Sequence, residues 1–304
     1  MSLALLLSSF VIAALLSTAF VELIRVWTHH RQILDHPGHR SSHTQPTPRG
    51  GGIAIVALTL FGLAFVQIFR PFTSWTTFAA FTIPALAIAI VSWIDDIRGT
   101  PASLRFAIHL GAAICAVIWL GRLQQILGIA GIAIAIVWIA GLTNAYNFMD
   151  GIDGIAGLQA VIAGAAWAFL GFRFAIPLAG LTGALIAGAS LGFLIHNWSP
   201  ARIFMGDVGS AFLGFTFAAI TVLAAERDPR LAVCGVLLLW PFVLDTTITL
   251  IRRALRGERL HEAHRSHLYQ RLNQRGWSHA QVSMLYGALG LIGAGAVFVW
   301  TGNS

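Results

Sequence analysis

The run PLAGLTGALIAGASLGFLI, residues 177–195, contains no Asp, Glu, Lys or Arg. A helix of that length rises about 28 Å at roughly 1.5 Å per residue, close to the roughly 30 Å of hydrocarbon in a bilayer. Working outward in both directions, nine more predominantly apolar runs can be read: 2–24, 50–69, 76–94, 104–121, 126–142, 154–170, 210–225, 231–250 and 281–301. Composition agrees. Of the 304 residues, 57% are hydrophobic and only 10% charged, with a mean hydropathy of +0.78, whereas a soluble domain carries about 25% charge. Disorder, an amphipathic solenoid and a disulfide scaffold are excluded, the last because Cys115 and Cys234 both lie in apolar runs. The expected fold class is all-α, a polytopic integral membrane protein of about ten transmembrane helices forming a single domain over 1–304. The first run could pass for a signal peptide ending near Ser17-Thr18-Ala19, but its leading segment carries no positive charge, so it is read as a retained span.

All nineteen basic Lys/Arg positions are arginine. The connections 25–49, 95–103, 143–153, 196–209 and 251–280 hold thirteen of them, and the opposite connections only Arg70, Arg122, Arg173, Arg227 and Arg230. The excess of basic residues on cytoplasmic loops then places both termini outside and the arginine-rich loops in the cytoplasm. The pI near 10.9 follows from those loops, and no nucleic-acid partner is expected. The outer connections are short, so any chemistry belongs to the cytoplasmic side. No internal repeat and no pair of broken, inverted helices marks a transporter.

The twelve acids localise that chemistry. Seven aspartates, Asp35, Asp95, Asp96, Asp150, Asp153, Asp207 and Asp245, fall at the inner ends of spans or in inner loops. An ion path would instead put acids near the bilayer midplane. Asp95 and Asp96 close the third span, where negative charge opposes the helix dipole. The run from Asn144 through Asn147, Asp150 and Asp153 to Gly154 packs two amides and two carboxylates into eleven positions, more than one helix cap requires. The third cluster runs from Asn197 to Ser210 and contains Phe204-Met205-Gly206-Asp207. Three aspartate clusters at one membrane face suit a hard divalent cation that also takes phosphate oxygens; Mg2+, Mn2+ and Ca2+ are not separated by these residues. The counterpart is basic. Arg40 and His43 lead into Pro46-Thr47-Pro48-Arg49-Gly50-Gly51-Gly52, whose glycine amides just before a helix suit an anion. His261, His264 and His267 recur among arginines such as Arg265, which favours phosphate over zinc. Asp245, in the span behind Pro241 with Arg252 two turns on, is read as structural.

These segments, in this order, resemble the polyprenyl-phosphate N-acetylhexosamine-1-phosphate transferases over the whole chain. The resemblance implies a single transmembrane transferase domain, 1–304, that moves N-acetylhexosamine 1-phosphate from a UDP-sugar to undecaprenyl phosphate, releasing UMP. It implies Mg2+, with Mn2+ as an alternative, held by Asp207. It puts Asp95, Asp96, Asp150, Asp153, His264 and His267 in catalysis, and Arg40, His43, Arg49, Asn144, Asn147, Asn197, Phe204 and Arg265 at the substrates, with Phe204 stacking on uracil. Expected partners are undecaprenyl phosphate, a UDP-N-acetylhexosamine and membrane lipid, with a homodimer left open. The expected location is the bacterial cytoplasmic (inner) membrane. Two departures stand out: Ser41 occupies the position after Arg40 where many members carry lysine, and His264-Arg265-Ser266-His267 replaces a tight His-x-His. The run 264–271 is more similar to the branch that initiates O-antigen or other surface polysaccharide than to the muramoyl-pentapeptide branch.

Overall fold

The computed structural model describes residues 1–37, 45–120, 123–258 and 265–302, with the backbone alone at 123–127. Among the described residues there are twelve helices. They are α1 (Leu3–His30), α2 (Gly52–Phe69), α3 (Trp75–Arg98), α4 (Ala102–Leu120), α5 (Leu123–Met149), α6 (Ile155–Arg173), α7 (Pro177–Asn197), α8 (Asp207–Arg227), α9 (Arg230–Leu238), α10 (Trp240–Leu255), α11 (Leu268–Gln274) and α12 (His279–Gly302). Two-residue strands β1 (Leu34–Asp35) and β2 (Thr47–Pro48) pair antiparallel, Leu34 opposite Pro48. Nine of these helices are long and apolar enough to cross a membrane, and the α9–α10 pair makes a tenth crossing if taken as one span. The protein is an all-α, multi-pass membrane protein.

The run 231–250, expected as one span, is broken into two helices. α9 and α10 meet at a 76° bend, because Pro241 has no N–H to donate and its ring excludes the carbonyl one turn back. Leu239, at φ −120° and ψ 12°, leaves the helical region. One carbonyl at the bend, Leu238 O, accepts the Gln159 amide of α6 (Nε2 to O, 2.7 Å), which satisfies that backbone acceptor inside the membrane. Elsewhere the helices outrun the apolar segments that announce them. α1 continues to His30, α5 continues to Met149, and α8 starts at Asp207. Hydropathy finds only the lipid-immersed length, whereas a helix continues into the interface wherever its backbone bonds persist. Asn144 and Asn147 therefore stand on the last turns of α5, not in a loop.

α7 and α8 are the most enclosed helices, and α7 lies against both α1 and α6. With lipid as apolar as leucine, close packing through small residues replaces hydrophobic burial as the force between helices. A Cβ at Gly192 would lie 2.4 Å from Ala14 O of α1, and one at Gly183 would lie 2.5 Å from Ala168 N of α6. Met1 and Ser2 share a crevice with Arg70, Pro71 and Pro177, and Arg173 Nη2 donates to Thr301 O at 2.6 Å. Both ends of the described chain thus lie at the end of the bundle opposite the aspartates.

Candidate active site

α3 stops at Gly99, which turns the chain at φ +69°, leaving Asp95 and Asp96 on the last turn. Neighbouring helix positions point about 100° apart, and the two carboxylates face different partners. Asp95 Oδ1 accepts from Thr100 Oγ1 at 2.7 Å and from Thr100 N, while its Oδ2 pairs with Arg105 Nη1. That same Nη1 reaches Asp207 Oδ2 at 2.9 Å. Arg105, on the first turn of α4, thus bridges the acid of α3 to the acid that opens α8. The Asp95 and Asn147 side chains also act electrostatically on the Asp207 carboxylate. Asn147 Oδ1 also accepts from Ser210 Oγ at 3.1 Å. Asp150 adjoins this group; burial, and then the charge of Asp207, push its carboxyl up to about 7.

Asp96 faces away. Its side chain is 0% exposed, and it accepts Asp207 N on Oδ1 and Val208 N on Oδ2, both at 3.0 Å. Arg49 stands behind it, Nη1 at 3.5 Å from Asp96 Oδ1 and Nη2 at 2.9 Å from Asp35 Oδ1. Arg49 is therefore engaged with two carboxylates. Burial lowers its proton affinity, but Asp35, Asp96 and Asp207 outweigh that and hold the guanidinium firmly charged. The anion cradle expected of the glycine amides is corrected too: Gly50 N and Gly51 N donate to Phe204 O (3.2 and 2.9 Å), and Gly52 N donates to Met205 O (2.9 Å). With Phe204 N donating to Pro48 O at 2.8 Å, this segment is a seam joining the first inner loop to the turn before α8. The Phe204 ring is half-buried beside it.

Three more expected site residues serve as clamps between loops. Asp153 is buried; its Oδ2 accepts Ala201 N at 3.2 Å and lies 3.2 Å from His279 Nδ1. Burial pushes its carboxyl up, but the hydrogen bond and field of the His279 ring outweigh that and hold it below the usual aspartate value. Asn197 accepts Gly154 N (3.0 Å) and donates to Ile203 O (2.9 Å), which leaves its amide committed to the protein. His267 is 3% exposed, with Nδ1 3.4 Å from Asp245 Oδ1. Asp245 has the structural role expected of it, through partners other than Arg252. It accepts Leu268 N and Thr249 Oγ1 on Oδ1, and Tyr269 N and Tyr286 Oη on Oδ2, so it caps α11. Tyr269 Oη then donates to Phe148 O at 2.9 Å, docking α11 on the end of α5; a Cβ at Gly151 would strike that hydroxyl at 2.1 Å.

Asn144 donates to Ala140 O at 2.7 Å and stands one turn before Asn147. Arg265 is half-buried just before α11, its carbonyl accepting from Gln274. Arg40, His43 and His264 lie outside the described residues. The fold therefore brings together Asp95, Asp207, Asp150, Asn147 and Arg105, and sets Asp96, Arg49, Asp153, Asn197 and His267 behind or beside them. Arg105, Thr100, His279, Tyr269 and Tyr286 were not singled out from sequence, and Asp35 was named there without a role. Arg105 carried a legible signal: a cation ten positions after an acid, across a Gly99-Thr100-Pro101 turn, returns to it. Among the described residues no three His, Cys, Asp or Glu side chains are grouped so that they could hold a metal ion by themselves. The oxygen-only set of Asp95, Asp207 and Asn147 does fit a hard divalent cation that completes its shell with water and phosphate.

A helical membrane protein with a carboxylate and arginine cluster at one end of its bundle is built to handle anionic groups at the membrane surface. The model of glycosyl transferase family 4 matches residues 78–225, which include every acid of that cluster. The chain is 31% identical over 302 residues to the decaprenyl-phosphate N-acetylglucosaminephosphotransferase of Mycolicibacterium smegmatis, covering 86% of this chain and 74% of that one. It is 28% identical over 281 residues to a probable undecaprenyl-phosphate N-acetylglucosaminyl 1-phosphate transferase of Bacillus subtilis, covering 85% and 75%. It is 30% identical to the phospho-N-acetylmuramoyl-pentapeptide-transferase of Lactiplantibacillus plantarum, over 142 residues that cover 45% and 41%. The protein belongs to the polyprenyl-phosphate N-acetylhexosamine-1-phosphate transferase family and is a sugar-phosphate transferase enzyme.

Proposed function

We propose that the protein transfers N-acetylhexosamine 1-phosphate from a UDP-sugar to undecaprenyl phosphate, giving undecaprenyl-diphosphate-sugar and UMP, as the first step of a lipid-linked surface glycan such as O-antigen. The observation that carries this reading is the Asp95–Arg105–Asp207 bridge, with Asn147 and Asp150 beside it, at the end of the bundle opposite both termini. Over alignments of similar coverage the chain is 28–31% identical to the two N-acetylglucosamine phosphotransferases and 26% identical to the phospho-N-acetylmuramoyl-pentapeptide-transferase of Acaryochloris marina, a difference in identity that supports the branch. We place the site on the cytoplasmic face of the inner membrane, in keeping with the arginine-rich loops at that end.

Two anions must meet here, a lipid phosphate and a nucleotide diphosphate, so positioning and charge neutralisation are the main tasks. Arg105 supplies a fixed positive charge between the two carboxylates. Asp95, 11% exposed, is the acid placed to orient the attacking lipid phosphate or take its residual proton. Phe204, half-buried at the rim, is suited to stack on the uracil. Mg2+, held by Asp207 with Asp95 and Asn147 near, would neutralise diphosphate oxygens when bound. The test is to incubate purified protein with undecaprenyl phosphate and a panel of labelled UDP-sugars. UMP release that depends on the lipid supports the reading; no release with any UDP-N-acetylhexosamine refutes it.

A further inference from the structure

We infer that Asp96 is a positioning residue rather than a catalytic one, and that its task is to hold the first turn of α8, and with it Asp207, in the geometry the reaction uses. The inference rests on the functional reading above. Consecutive acids at a helix end are readily taken as a pair that shares the chemistry, but their surroundings differ. The Asp96 side chain has no exposed surface, so it cannot touch a phosphate, whereas that of Asp95 is partly open. Both Asp96 oxygens are occupied by the N–H groups of Asp207 and Val208 at 3.0 Å. Those are two of the donors that a helix start leaves without an intrahelical partner.

The usual source of such a cap is missing here. The residue before α8 is Gly206, which offers no side chain, and at φ +78° its Cβ would fall 2.6 Å from Asp96 Oδ2. Glycine thus makes room for a cap delivered from another helix. A carboxylate at that place also meets the positive end of the α8 dipole, which offsets the unfavourable place Asp96 has at the end of α3. Arg49, tied to Asp35, fixes it from behind. Because Asp207 is the first residue of α8 and its own N–H is one of the two donors, its side-chain direction is set by Asp96. The same device recurs where Asp245 of α10 accepts Leu268 N and Tyr269 N at the start of α11.

The test uses the full-length protein in detergent, with Asp96→Ala, Asp96→Asn and Asp95→Asn variants. Amide hydrogen exchange of a peptide covering 204–212, measured without metal or substrate, reads the cap directly. Asp96→Ala should speed exchange at Asp207 and Val208 at least tenfold, Asp96→Asn by less, and Asp95→Asn not at all. Mn2+ binding without turnover should weaken several-fold in Asp96→Ala, and its residual UMP release should recover in part at raised Mn2+. Asp95→Asn should lose turnover that added Mn2+ does not restore. Unchanged exchange in Asp96→Ala overturns the proposal. So does an Asp96→Asn variant whose turnover is abolished while its exchange and Mn2+ binding match wild type, because Asp96 would then act on the substrate itself. Absence of Mn2+ binding to the wild type would count against the metal reading, and the exchange result would still decide the cap.

Discussion

Alanine at Gly52 tests whether the packing of α2 on α8 sets the site. The Cβ it adds would lie 2.4 Å from Gly209 Cα, 2.6 Å from Gly209 N and 2.9 Å from Met205 O. All three are backbone atoms that no rotamer change can move. Ordinary contact begins near 3.4 Å, so the helices must part by about 1 Å at this crossing. Overpacking of this kind costs about 1–3 kcal/mol. Gly209 lies within the first turn of α8, so the displacement also moves Asp207. A misplacement of about 1 Å at a reacting group is worth roughly a hundredfold in rate. Gly52→Ala should therefore lower kcat for UMP release by one to two orders of magnitude in protein that still purifies as a folded species with a lowered melting temperature. Gly111→Ala is the control: no heavy atom lies within 4 Å of its added Cβ, so it should keep wild-type kcat and, as a helix-interior Gly→Ala change, gain up to about 1 kcal/mol. Gly52→Ala with unchanged kcat would refute the claim that this crossing positions Asp207.

Asp207→Asn should remain folded and lose nearly all transfer, with little rescue by Mg2+; a wild-type rate with an unshifted Mg2+ curve would remove Asp207 from the metal site. Tyr286→Phe removes the 2.6 Å bond to Asp245, a hydrogen bond to a charged group worth about 1.5–3 kcal/mol, and should lower melting temperature with kcat nearly kept. Asp153 sits below its ordinary value because of His279, so its clamp adds stability above the unfolded value near 4 and loses it as pH falls through the lower folded value. His279→Gln should accordingly raise the midpoint of acid unfolding. In a background lacking Cys115 and Cys234, a cysteine at Ser74 should react with an impermeant reagent from outside intact cells and one at Arg275 should not; the reverse pattern would invert the orientation.

The architecture was legible because membrane spans are written in hydropathy, and nine of the ten expected runs correspond to single long helices, α5 with a kink at Gly128 near its start. The tenth, 231–250, is bent behind Leu239, which an apolar composition does not record; Pro241 is the local sign. Three aspartate clusters were also legible as a set. Their division of labour was not. Asp95 and Asp96 are chemically identical neighbours, and only the approach of α8 makes one a cap and leaves the other facing the cleft. The glycines at 50–52 show the same limit: bare amides look ready for an anion until Phe204 O and Met205 O arrive from 150 residues away. Arg49, similarly, looked like a phosphate ligand when its partners Asp35 and Asp96 were out of view. Asn197 was expected at the substrate from the resemblance and His267 from histidines recurring among arginines; the partners that clamp them, Gly154 and Ile203 for the one and Asp245 for the other, were out of view.

In the proposed reaction the transferred sugar carries its phosphate with it. A UDP-N-acetylhexosamine labelled with 32P in the β-phosphate, incubated with the purified protein and undecaprenyl phosphate, decides this in one partition. Label should move into the organic phase as lipid diphosphate sugar while unlabelled UMP stays in water, and Asp207→Asn should abolish both. Label remaining in the aqueous phase as UDP while the sugar alone enters the lipid would contradict the proposed reaction.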